Sequence, residues 1–264
     1  MTSESKELKI SVCMATRNGG RYIGEQVASI LPQLGPDDEV IVSDDSSTDE
    51  TVRIVKDLND PRIRLLEGNT FYSPIFNFEN ALKRTTGEII ILSDQDDVWL
   101  EGRVERILSR FRHASSAIHL LIQNGYVVDD AGGVIEESLF RKINAGKGLL
   151  KNIYDNTYMG CCMAFSRPLL EIALPFPRRI PMHDMWLGIL AELFGTVEFD
   201  AERTIWYRKH AASTTDFPRR FIPVTQIKRR LFLSWALGTR FVARKYRMRT
   251  MKSELTNETR STRS

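Results

Sequence analysis

Residues Ile89 to Trp99 read IIILSDQDDVW, an apolar run that ends on three carboxylates, Asp94, Asp96 and Asp97. Grouping like charges at the carboxyl end of a strand costs electrostatic free energy unless a cation, or donors aimed at the carboxylates, compensates. The spacing therefore points to a divalent ion. Hard oxygen ligands suit Mg²⁺ or Mn²⁺, which fill their remaining positions with water and phosphate oxygens.

The elements that must hold this cluster lie upstream of it. Leu8 to Ala15 is predicted as a strand, followed by a turn at Asn18-Gly19-Gly20 and a helix from Arg21 to Leu34. Glu39 to Ser43 is a second strand, ending at Asp44-Asp45, and Ser47 with Glu50 reads as a capping box that opens a helix through Leu58. Arg62 to Leu66 reads as a strand, Phe76 to Arg84 as a helix and Glu88 to Leu92 as the strand that delivers the acidic cluster. This alternation predicts an α/β fold with a Rossmann-like, mostly parallel central sheet flanked by helices. Ligands of such sheets bind beyond the carboxyl ends of the strands. Asn18, Asp44, Asp45 and Asp94 to Asp97 should then share one edge. Any single Asp of the second segment would serve equally as a helix cap, but two clusters on one edge argue for a site.

After Trp99 the pattern changes. Leu100 to Phe111 is a charged amphipathic helix, His119 to Val128 and Tyr158 to Phe165 read as strands, and Asp129 to Gly133 as a hairpin turn. Asp184 opens an apolar helix, Met185 to Phe194, where its charge would favour the N-terminal dipole if it had no other task.

Six segments together resemble the family 2 glycosyltransferases of GT-A fold, especially the bacterial rhamnosyltransferase-like group that builds surface polysaccharides. They are Met14 to Gly19, Val42 to Asp49, Asn77 to Leu82, Leu92 to Trp99, Met182 to Leu187 and Tyr207 to His210, in the family's order. The resemblance implies a nucleotide-diphosphate sugar donor, a UDP- or dTDP-sugar, held by Ala15, Thr16, Arg17, Asn18, Asp45, Asn77, Asp94 and Gln95. It implies a divalent metal, Mn²⁺ or Mg²⁺, on Asp94 and Asp96, with His210 completing the site, and Asp184 as general base. Three departures stand out. Arg17 occupies a position where many members have Tyr, to stack on the base or meet a phosphate; Ser213 replaces an Asn after the late His; and the segment before Asn77 lacks a small Gly.

Such a reaction breaks the bond from the anomeric carbon to phosphate, and a metal bridging the phosphates stabilises the charge gathered on the leaving group. The acceptor hydroxyl, a poor nucleophile, needs a carboxylate to take its proton. One base and one metal imply single displacement with inversion onto a hydroxyl of a glycan or a lipid-linked oligosaccharide, in bacterial O-antigen, capsule or exopolysaccharide synthesis. On this reading residues 1–99 form the donor half, 100–216 the acceptor half and 217–264 a basic helical tail.

Two other classes compete. A haloacid-dehalogenase-type phosphohydrolase also places Asp-x-Asp after a strand, although there the pair follows the first strand of the core. A non-catalytic sugar-nucleotide-binding protein would keep the same donor residues. A calcium loop fails because Trp99 stands where its glycine is required, and the Asn18-Gly19-Gly20 turn lacks dinucleotide spacing.

Composition is that of an ordinary soluble protein: 264 residues, 42% hydrophobic and 27% charged. The start, MTSESKELK, lacks the pattern of a signal peptide, and no apolar run approaches the roughly 18 residues a bilayer span needs. Cys13, Cys161 and Cys162 lack metal spacing and are expected as reduced core residues of a cytoplasmic protein. Residues 217–253 carry eleven Lys and Arg and no acid, so removing them from the overall +3 leaves −8 on residues 1–216. Apolar residues recur in this tail at helical spacing. A basic amphipathic helix of this kind either lies on an anionic membrane, at the inner face of the plasma membrane, or packs on the body with its charges solvated. Nucleic-acid binding is not expected, because it would leave the carboxylates unexplained.

Overall fold

The structure is a computed structural model that describes residues 8–210, 232 and 236–240. The chain divides into two compact units, 1–176 with 182–219, and 177–181 with 220–264. Of the second unit's basic stretch, Phe232 and residues 236–240 are helical, and the rest of 217–253 lies outside the described residues, as does Ser213. No helix among the described residues is long and apolar enough to cross a membrane.

In the first unit the elements run β1 (Ile10–Thr16), α1 (Ile23–Ile30), β2 (Glu39–Asp44), α2 (Thr51–Asp57), β3 (Ile63–Leu66), α3 (Pro74–Leu82), β4 (Ile89–Ser93), β5 (Val98–Trp99) and α4 (Arg103–Arg112). There follow β6 (His119–Val128), β7 (Val134–Glu136), α5 (Leu139–Ile143), α6 (Leu149–Tyr154), β8 (Met163–Ser166), α7 (Arg167–Ala173), α8 (His183–Phe194) and β9 (Thr196–Arg208). One sheet takes all nine strands of the described residues, in the order β3-β2-β1-β4-β8-β6-β9-β5, with β7 beside β6. The first four in this order pair in parallel, as does β6 with β9, while β8 runs antiparallel to both its neighbours. The predicted α/β architecture is therefore present.

Period-two alternation explains the layers. Ile10, Val12, Met14, Val40, Val42, Ile89 and Ile91 point to one face, where they pack with Ile23, Val27 and Ile30 of α1 and Val104 and Ile107 of α4. α3 packs against β1 and β2 and Asn80 Nδ2 donates to Ser43 Oγ at 2.9 Å, so the opposite face, with Ile41, is also covered. A sheet buried on both faces needs strands that are apolar throughout, which is why β4 reads as an unbroken run of Ile and Leu.

Two local expectations are corrected. The capping box does not form: α2 begins at Thr51 after Glu50, which makes no side-chain cap, and the Thr51 N–H donates to Asp49 Oδ1 at 3.1 Å. Ser47 is drawn instead to Asp44, whose Oδ1 accepts the Ser47 hydroxyl at 2.5 Å. The strand expected from Tyr158 begins only at Met163, because Gly160–Cys162 form a single 3₁₀ turn. The Asp129 to Gly133 turn is present, closed by Asp129 N–H to Gly133 O at 2.8 Å.

Candidate active site

Parallel pairing of β1 with β2 and β4 brings their carboxyl ends together, as expected. At the end of β1 the chain turns through Asn18, at φ 49°. Gly19 follows because a Cβ there would stand 2.2 Å from Gln95 Oε1. Gln95 binds this turn at two points. Its Oε1 accepts the Arg17 N–H at 2.9 Å and its Nε2 donates to Arg17 O at 3.1 Å. The turn is also tied to the loop after β2: Asn18 N–H donates to Ser47 Oγ at 2.8 Å, and Asn18 Oδ1 accepts the Thr48 N–H at 2.9 Å.

The other expected donor residues are placed as follows. Ala15 is half-buried in β1, while Thr16 is fully buried, its hydroxyl on Asp44 at 3.1 Å. Asn77 is buried in α3 with Nδ2 on Thr16 O at 3.1 Å, and its Oδ1 has no hydrogen-bond partner. Asp45 is buried and accepts the Phe71 N–H at 2.5 Å and the Ser73 N–H at 3.1 Å.

The three carboxylates after β4 take different partners. Asp94, half-buried, has its carboxyl pushed up to about 7 by burial, with further contributions from the charges of Asp96 and Asp184. Asp97 is buried and pushed well above the usual carboxylate range by burial and by its two acidic neighbours. Its Oδ1 accepts the Arg208 N–H at 3.1 Å. Ligand atoms of Asp94, Asp97 and Cys161 lie within 4.8 Å of one another. Asp96 turns elsewhere, to His210, with Oδ2 to Nε2 2.8 Å apart. Asp96 and His210 thus meet directly, whereas among the described residues the ligand atoms of Asp94 group with Asp97 and Cys161. Carboxylate oxygens at Asp94, disfavoured as a charge by burial and by its acidic neighbours, and at Asp96 are donors that fit a hard divalent cation.

Asp184 enters from the first turn of α8 and is buried. Its Oδ1 accepts from Asn156 Nδ2 at 3.0 Å and from the Met185 N–H at 2.5 Å. The charge of Asp184 contributes, after burial and Asp96, to the rise at Asp94.

Several residues at this site were not singled out from sequence. Arg208, nearly buried, donates from Nε to Asp96 O at 3.0 Å and from its two terminal nitrogens to Asp130 O at 3.2 Å and Glu25 Oε2 at 2.7 Å. Tyr22 stacks on His210 with centroids 4.7 Å apart and donates to Asp130 Oδ1 at 2.6 Å. Arg103 is fully buried behind the cluster, its NH2 on Cys161 O at 2.9 Å. A signal existed only for Arg208, which lies inside the matched Tyr207 to His210 segment. Asn156, Tyr22 and Arg103 reach the site through tertiary approach alone. The three cysteines are free and buried, as expected.

An α/β sheet of this order carries its acidic loops at the carboxyl ends of its strands, where sheets of this class bind their ligands. The glycosyl transferase family 2 model matches residues 11–172, and the chain belongs to that family. It is 28% identical over 185 residues to the UDP-Glc:alpha-D-GlcNAc-diphosphoundecaprenol beta-1,3-glucosyltransferase WfgD of Escherichia coli, covering 69% of this chain and 70% of that one. It is 36% identical over 102 residues to the dTDP-rhamnosyl transferase RfbG of Shigella flexneri, covering 36% of this chain and 35% of that one. The fold is similar to that of S. aureus TarS 1-349 in complex with UDP-GlcNAc, at TM-score 0.63 and 23% identity, covering 78% of this chain and 60% of that one. Membership sets aside the phosphohydrolase and the non-catalytic binding protein: this is a family 2 glycosyltransferase of GT-A fold, in the company of surface-polysaccharide enzymes.

Proposed function

We propose that the chain transfers a sugar, with inversion and with a divalent metal, from a UDP- or dTDP-sugar to a hydroxyl of a glycan or lipid-linked oligosaccharide in bacterial surface-polysaccharide synthesis. The observation that carries this reading is the convergence of the acidic β4 loop on the end of β1 and on His210, Gln95 bonding the Arg17 backbone at 2.9 and 3.1 Å and Asp96 lying 2.8 Å from His210 Nε2. These loops suit the donor side, and Asp184 at the start of α8 the acceptor side.

Asp94 and Asp96 would hold Mn²⁺ or Mg²⁺, with His210 at Asp96, and the ion would supply charge neutralisation for the departing diphosphate. Asp184 accepts the proton of the acceptor hydroxyl as attack proceeds. Asn156 Nδ2 and the Met185 amide fix the carboxylate, so that one orientation is presented to the acceptor. Ala15, Thr16, Arg17, Asn18, Asp45, Asn77 and Gln95 shape the donor pocket, several of them through backbone held by the contacts above. No second carboxylate is needed as nucleophile, which is the reason for inversion. Residues 1–99 serve the donor and 100–216 the acceptor, while 217–253 meet the anionic inner face of the membrane, where a lipid-linked acceptor is presented. Support for a UDP- or dTDP-sugar and for a lipid-linked acceptor comes from the relatives' own substrates.

Calorimetric titration with UDP and dTDP, in Mn²⁺ and then in EDTA, tests the donor side. Binding of one of them only with metal is the expected result. Tight binding undiminished in EDTA would rule the metal out. NMR of the product's anomeric proton then reads inversion against retention.

A further inference from the structure

The loop between β3 and α3 holds Tyr72 in an unusual way. Its φ is 48°, in the left-handed region that a bulky L residue rarely enters. Asp45 keeps it there, since its carboxylate accepts the amide of Phe71 at 2.5 Å and that of Ser73 at 3.1 Å, clamping the backbone on both sides. The strain does not bury the ring. Tyr72 is 65% exposed, the most exposed aromatic side chain among the described large apolar residues after none but Tyr154.

Folding gains little from an exposed ring on a strained backbone, and an observed outlier of this kind is grounds for a functional hypothesis. Its surroundings say which. The guanidinium carbon of Arg17 lies 4.7 Å from the Tyr72 ring centroid, and the Arg17 backbone is held on both sides by Gln95 of the acidic loop. Tyr72 is thus connected, through Arg17 and Gln95, to the residue next to Asp94. It stands at the carboxyl ends of β1 and β2, beyond which a nucleotide binds in such sheets. Planar guanidinium and phenol stack on one another and on the π-face of a nucleobase.

We propose that the Tyr72 ring, backed by Arg17, is the platform on which the nucleobase of the donor stacks, with Asp45 acting as the positioning residue that projects it. Asp45 then serves the nucleoside through the loop it holds. The inference rests on the donor reading above and goes beyond it by naming the residue that meets the base.

Calorimetry in Mn²⁺ on the full chain tests it, with whichever of UDP and dTDP binds the parent, its nucleoside, and inorganic pyrophosphate. Tyr72→Gly removes the ring and is at ease at positive φ, so its thermal midpoint should equal or exceed the parent's. Its affinity for the nucleoside diphosphate and for the nucleoside should fall by about tenfold or more, with pyrophosphate unchanged. Tyr72→Phe keeps the π-face and should bind like the parent. Parent-like nucleotide affinity in Tyr72→Gly would overturn the proposal and leave the donor reading standing. So would an equal loss for pyrophosphate, which has no base. A parent that binds neither nucleotide would overturn the donor reading and this inference with it.

Discussion

Asp96 and His210 stand 114 positions apart in the chain and meet at 2.8 Å, carboxylate oxygen to imidazole Nε2. Tyr22 stacks on the face of the same imidazole, and Arg208, two residues earlier, donates to the Asp96 carbonyl. The end of β9 therefore fixes both the side chain and the backbone of Asp96. Residues that orient metal-binding carboxylates typically matter by about 10- to 100-fold in metal affinity. His210→Ala is expected to weaken Mn²⁺ by that order, read as the Mn²⁺ concentration for half-maximal turnover. An unchanged Mn²⁺ requirement would show that His210 does not orient Asp96.

Asp184 is held by Asn156 and by the Met185 amide of its own helix. Asp184→Asn keeps the shape and removes the base, so kcat should fall by about 10²- to 10⁴-fold. Donor affinity by calorimetry should hardly move. Retained turnover would place the base elsewhere.

The turn at Gly19 has no room for a methyl group, because a Cβ would stand 2.2 Å from Gln95 Oε1. Gly19→Ala should push Gln95 off Arg17 and release both hydrogen bonds between them. Loss of two such bonds is worth on the order of 1 to 3 kcal/mol. Weaker donor binding together with a lower thermal midpoint is expected, and a parent-like affinity would separate Gln95 from the donor site.

His183 precedes the proposed base and is buried against Phe78, ring centroids 4.3 Å apart, with neither ring nitrogen hydrogen-bonded. Burial lowers its pKa from 6.5 to about 3. The unfolded chain then takes up a proton below about 6.5 that the folded chain refuses. This contribution to stability is complete above that pH and is lost as pH falls toward about 3, at up to roughly 1.4 kcal/mol per pH unit. Denaturant melts from pH 7 to 4 on the parent and on His183→Phe should diverge, the variant losing less stability on acidification. Parallel curves would mean that His183 is protonated in the folded state.

The alternation of strand and helix, and with it the gathering of Asn18, Asp44, Asp45 and Asp94 on one edge, was legible in the sequence. Local periodicity and the carboxyl-end rule need no tertiary information. The local misreadings share a cause. Ser47 reads as a cap, but its hydroxyl donates to the Asp44 carboxylate, and the helix starts only at Thr51, whose amide donates to Asp49. Cys161 and Cys162 read as strand because they are apolar, yet the chain turns there to carry Cys161 to Asp94 and Asp97. In each case a neighbour's polar group outweighed a propensity worth only tenths of a kcal/mol.

By itself, then, the sequence determined the sheet, the acidic edge and the family, because these follow from periodicity and from motifs contiguous in the chain. The tertiary structure alone decided how the three carboxylates divide their work, Asp94 grouping with Asp97 and Cys161, Asp96 taking His210 and Asp97 taking the amide of Arg208. It also decided that Asp45 holds Tyr72 exposed beside Arg17. Hydrogen bonds and charge interactions act over a few ångströms, and only the folded chain brings partners so distant in sequence within that reach.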